Sequence, residues 1–70
     1  MTFDIKYTAI KSGRGGYSPQ VSINGAWKYL NAPSRKTERG ALNLAKQIAE
    51  QQADLYRSMS HTNVVSIAQA

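Results

Sequence analysis

Apolar and polar residues alternate along Phe3-Asp4-Ile5-Lys6-Tyr7-Thr8-Ala9, which is the period of a strand with one buried face. Ser12-Gly13-Arg14-Gly15-Gly16 interrupts the pattern as a flexible hairpin connection, and Tyr17-Ser18-Pro19-Gln20-Val21-Ser22-Ile23 resumes it. Asn24-Gly25 is a strong short hairpin signal, because a two-residue type I′ turn needs positive φ at both central positions. Ala26-Trp27-Lys28-Tyr29-Leu30 returns as a third strand, and Asn31-Ala32-Pro33-Ser34 ends it. Pro19 sits poorly in a middle strand and marks either the start of regular pairing or a bulge.

The period then changes. Ala41, Leu44, Ala45, Ile48, Leu55 and Met59 recur at helical spacing, widened by Ala49, Ala53 and Tyr56. Ser34 or Thr37 can cap the helix and Glu38 suits its first turn, so the spacing predicts a helix from about 36 to about 58. The last stretch, Val64-Val65-Ser66-Ile67-Ala68-Gln69-Ala70, reads equally as a short strand, a docking segment or a frayed end. The expected architecture is α+β: a three-stranded antiparallel sheet packed on one C-terminal helix (β-β-β-α), with residues 1–60 as the domain and 61–70 as a C-terminal tail.

Hairpin geometry assigns the faces. A two-residue turn at Asn24-Gly25 sets Ile23 opposite Ala26, Ser22 opposite Trp27, Val21 opposite Lys28 and Gln20 opposite Tyr29. A five-residue turn at 12–16 sets Tyr7 opposite Val21, Ile5 opposite Ile23, Lys6 opposite Ser22 and Thr8 opposite Gln20. The two alternations agree, and a slip of one residue would destroy that agreement. The helix is expected on the Phe3, Ile5, Tyr7, Val21, Ile23 and Leu30 side, with Lys28 a misfit there. The other side, Lys6, Thr8, Gln20, Ser22, Trp27 and Tyr29, is left open to solvent, unless a bulge at Lys28 turns Trp27 and Tyr29 inward.

Composition adds limits. Seventy residues make one domain of marginal stability, and the absence of cysteine rules out disulfides and thiolate metal sites. No apolar run is long enough to cross a bilayer, and the N-terminus lacks a secretory core, so a soluble cytoplasmic protein is expected. Nine Lys/Arg against four Asp/Glu give +5, with a pI near 9.9. That excess lies entirely in residues 1–39, while 40–70 balance. A basic half points to a polyanionic partner or an acidic protein surface.

Catalytic chemistry has little to build on. His61 has no second histidine or cysteine with which to share a metal, and Glu50 and Asp54 stand one turn apart on a solvated helix face. The glycine-rich turn lacks the lysine and hydroxyl of a phosphate loop and leads into a strand. The expectation is a binding protein rather than an enzyme, with no cofactor and no metal. Candidate phosphate contacts are Lys6, Lys11, Arg14, Arg35, Lys36 and Arg39; candidate base or sugar contacts are Gln20, Ser22, Trp27 and Tyr29.

Gly15-Gly16-Tyr17, the alternating Gln20 to Ile23, Asn24-Gly25, Trp27-Lys28-Tyr29, the basic Ser34-Arg35-Lys36-Thr37 and the helix opening Ala41-Leu42-Asn43-Leu44-Ala45 together resemble the small N-terminal arm-binding domains of phage tyrosine integrases. The likeness covers roughly residues 14–52 and is one of residue types. It implies a three-stranded sheet lying in the major groove of double-stranded DNA with the helix behind it, as in a phage or prophage accessory or regulatory factor. The helix start Thr37-Glu38-Arg39-Gly40-Ala41 departs from the family by its glycine, and no recombinase domain is present to carry integrase chemistry. The alternative is a phage-encoded inhibitor of a host enzyme or defence complex, anti-CRISPR-like, that covers an acidic or nucleic-acid-binding protein surface. A homodimer through the helix end and the C-terminal tail is compatible with either.

Overall fold

The computed structural model describes residues 1–28 and 32–70. Its elements are β1 (Thr2–Lys11), β2 (Tyr17–Ile23), β3 (Ala26–Lys28), α1 (Glu38–Met59) and β4 (Val64–Gln69). They form one sheet in the order β3-β2-β1-β4, with α1 packed across one face. The α+β class is as the sequence predicts. The sheet is not: it has four strands rather than three, and it is mixed, because the segment left open as strand, docking piece or frayed end is a strand running parallel to β1.

Two lengths account for that strand. The 22 residues of α1 rise about 33 Å, and the 10 residues of β1 extend about the same distance. The helix therefore carries the chain back along the whole of β1 and releases it beside Met1. A short turn completes the return, with Asn63 Nδ2 donating to the Tyr56 carbonyl at 2.7 Å. Val64 N–H then donates to the Met1 carbonyl, and Ala70 N–H to the Tyr7 carbonyl, each at 2.8 Å. β1 becomes a central strand.

The predicted registers hold throughout the described pairs: Ile5 with Ile23, Tyr7 with Val21 and Thr8 with Gln20, then Ile23 with Ala26, Ser22 with Trp27 and Val21 with Lys28. Asn24 and Gly25 carry φ of 52° and 84°, the left-handed pair that a type I′ turn demands. Asn24 is also tied to β1, its N–H donating to the Asp4 carbonyl and its Oδ1 accepting from Asp4 N–H. Tyr29, Leu30 and Asn31 lie outside the described residues, and with them the Gln20–Tyr29 pair and Leu30 as a core residue.

Pro19 is neither the start of pairing nor a bulge: it sits inside β2 opposite Ala9. Ser12 N–H donates to the Gly16 carbonyl and Asn24 N–H to the Asp4 carbonyl, so the even-numbered residues of β2 bond to β1. The odd-numbered ones face away, as Tyr17 shows by exchanging two 2.8 Å bonds with Arg35. The donor that proline lacks would thus point away from β1, and the β1–β2 ladder loses nothing.

The helix face differs in detail from the predicted stripe. Its buried centre is the row Ala41, Ala45, Ala49 and Ala53, each fully inaccessible, while Leu55 and Met59 are exposed rather than core. A row of methyl side chains four residues apart forms a low ridge, so the helix comes close enough for Ile5 and Val21 to be fully buried beneath it. Phe3 and Tyr56 stack at 4.1 Å with planes 9° apart and close one end of the core. Thr37 is the cap, its Oγ1 accepting from Gly40 N–H at 3.1 Å, so the helix begins at Glu38 rather than 36.

Replacing Ala49 by leucine is expected to cost about 1–3 kcal/mol through overpacking, whereas Leu55→Ala should change stability by no more than about 0.5 kcal/mol. Urea unfolding followed by circular dichroism measures both.

Candidate nucleic-acid interface

The face away from α1 carries Lys6, Thr8 and Ile10 from β1, Gln20 and Ser22 from β2, and Trp27 from β3, as the register requires. Regular pairing continues through Lys28 without a bulge, and Trp27 is 53% exposed. Thr8, Ile10, Gln20 and Trp27 line a shallow, mostly apolar depression of about 230 Å³. Ser22 is only 3% exposed between Lys6 and Trp27, so a ligand on this face meets those neighbours first. Lys6 is exposed farther along the face, two residues from Asp4 on the same side. Tyr29 lies outside the described residues.

A second concavity lies where the β1–β2 turn meets the segment leading into α1. Ser12, Arg14, Gly15, Gly16, Ser34, Arg35 and Lys36 line an open concavity of about 380 Å³. The turn is braced internally, Ser12 N–H donating to the Gly16 carbonyl at 2.7 Å and Arg14 N–H to Ser12 Oγ at 3.3 Å. The paired bonds between Tyr17 and Arg35, together with a 3.3 Å contact between the Ser18 and Ser34 hydroxyls, fasten the pre-helix segment against β2. Position 16 is tight: a Cβ there would stand 3.1 Å from the Arg35 carbonyl oxygen, which would have to give by a few tenths of an ångström.

Arg14, Arg35 and Lys36, distant in sequence, thus converge on one pocket with no acid in its lining. Exposed cations repel one another weakly in water, so grouping them costs little, while their summed field attracts an anion. Lys11 at the end of β1 and Arg39 in the first turn of α1 stand at the same end of the molecule. Five of the nine cationic side chains therefore gather there beside one acid, Glu38. At the other end of the 42 Å long axis lie exposed Met1, Met59 and Val64 and the Asp54–Arg57 pair at 3.6 Å.

The two concavities meet along β1, with Arg35 entering the second from the helix side, opposite Tyr17 and beside Gly40. Ile10 and Ser12 are two residues apart, roughly 7 Å at strand spacing, and one belongs to the depression, the other to the pocket. The sequence reading omits Ile10 because it ends the first strand at Ala9, where alternation fails. It also omits the lining groups Ser12, Gly15, Gly16 and Ser34, whose one signal is the small, glycine-rich turn. Among the described residues no group of His, Cys, Asp and Glu is arranged to hold a metal ion, and no helix is long and apolar enough to cross a membrane. Comparison of the chain with known protein families, curated proteins and solved structures gives no match.

Selective excitation of the indole gives a direct check on this surface. Acrylamide should quench Trp27 readily in the folded protein, and the loss of protection on adding urea should be small; an indole beneath the helix would be shielded until unfolding.

Proposed function

We propose that this protein binds nucleic acid through the open face of its sheet and the cationic end that adjoins it. The observation that carries the reading is the adjacency of a half-exposed tryptophan, set in an apolar depression with a glutamine amide, to an acid-free pocket of Arg14, Arg35 and Lys36. Arginine and lysine neutralise phosphates and release counterions, which supplies affinity without sequence information. The indole offers a surface for a base or sugar, and the Gln20 amide can both donate to and accept from a base edge. Lys11 and Arg39 extend the cationic surface, and Lys6 supplies one charge on the sheet face itself.

Two families of variants separate these contributions. With three phosphates neutralised by the pocket, the logarithm of the binding constant should fall with the logarithm of salt at a slope of about −2 to −3. Replacing Arg14, Arg35 and Lys36 together by alanine should flatten that slope. Trp27→Ala should weaken binding by about 1–3 kcal/mol and leave the slope unchanged. Fluorescence anisotropy with labelled oligonucleotides measures both, and absence of binding at micromolar protein in low salt would remove the reading.

A further inference from the structure

We infer that the nucleic acid taken by this face is single-stranded: an unpaired base lies against Trp27 in the depression, and an adjoining phosphate occupies the Arg14–Arg35–Lys36 pocket. The inference rests on the nucleic-acid reading above and goes further by naming the form of the ligand. It departs from the duplex binding that the resemblance to integrase arm-binding domains implies.

The distribution of charge argues first. A sheet that enters the major groove sits between two phosphate backbones about 12 Å apart and needs cationic contacts toward both. Here five cations gather at one end of the molecule, while the opposite end presents Met1, Met59 and Val64 and one cation, Arg57, paired with Asp54. Midway along the face, Lys6 is offset by Asp4, whose carboxylate accepts from Ser66 Oγ at 3.3 Å on the same side of the sheet. One backbone can follow the cationic end; a second would meet only isolated cations, Lys28 on the edge strand and Arg57 paired with Asp54.

The shape of the face argues next. Groove readers project side chains outward to base edges, whereas this surface is a shallow depression, with Thr8 and Ile10 on one side and Trp27 on the other across β2. A base inside a duplex has both faces covered by its neighbours, so the indole would find no ring to stack on; an unpaired base brings one. Gln20 lines the same depression and is positioned to bond an edge left free by the missing complement. The pocket begins two residues along β1 from Ile10, within the reach of one nucleotide, so a base and a phosphate next to it are held together.

The test is a competition on the intact chain between labelled oligothymidylate, oligodeoxyadenylate and the duplex annealed from them, at equal low salt. Either single strand should bind about tenfold or more tightly than the duplex and should quench Trp27 fluorescence. Trp27→Ala should abolish most of that preference, Trp27→Phe should restore part of it, and the triple alanine variant of the pocket should weaken both ligands alike. Circular dichroism confirms that each variant is folded. A duplex that binds as tightly as the strands, or a preference that survives Trp27→Ala, overturns this inference while leaving nucleic-acid binding in place. Failure of every oligonucleotide to bind removes both.

Discussion

The close approach of α1 to β1 and β2 is the contact on which the rest of the architecture depends. Four alanines in one row let the helix axis descend until Ile5 and Val21 are sealed. No cysteine is present to staple the domain, and among the described residues Ile5 and Val21 are the largest fully buried side chains, so density of packing has to substitute for size of core. Bulkier groups serve at the margins: Phe3 and Tyr56 stack at one end, and Ile48, Val65 and Ile67 pack around the sealed centre.

That same contact sets the position of the candidate surface. Laying the helix along β1 places its start beside the β1–β2 turn, where Arg35 bonds to Tyr17, and its end beside Met1, where β4 begins. The first consequence is a pocket built from two remote cationic segments. The second is a sheet whose former edge is occupied, leaving the face opposite the helix as the broad open surface. Charge that is merely uneven along the chain becomes uneven along the molecule, with five cations at one end and exposed apolar side chains beside the Asp54–Arg57 pair at the other.

The candidate surface was legible wherever strand parity governs it. Lys6, Thr8, Gln20 and Trp27 fall on one face because Asn24-Gly25 and the five-residue turn leave only one register that buries the isoleucines together. Two positions were not legible from parity alone. Ile10 breaks the alternation yet stays in the strand, since backbone pairing with Ser18 continues regardless of side-chain polarity. Ser22 has the right parity but is small, and Lys6 and Trp27 stand on either side of it, which leaves it almost no accessible surface. On the helix, period alone could not rank Ala49 above Leu55, because hydrophobicity favours leucine while the distance to the sheet favours alanine.

What the linear order determined was local: alternation set the three strands of the hairpins, the positive-φ pair set the second turn, and the caps on offer at Ser34 or Thr37 brought the helix start to within two residues. Those features act over a few residues and need no knowledge of what lies across the fold. The tertiary structure alone decided that Val64–Gln69 pairs in parallel with β1, that Arg14 meets Arg35 and Lys36, and that alanines rather than leucines face the sheet. Each of these depends on the match between helix length and strand length and on the spacing between two packed layers. Such distances arise only when remote segments are brought together, and no window of sequence contains them.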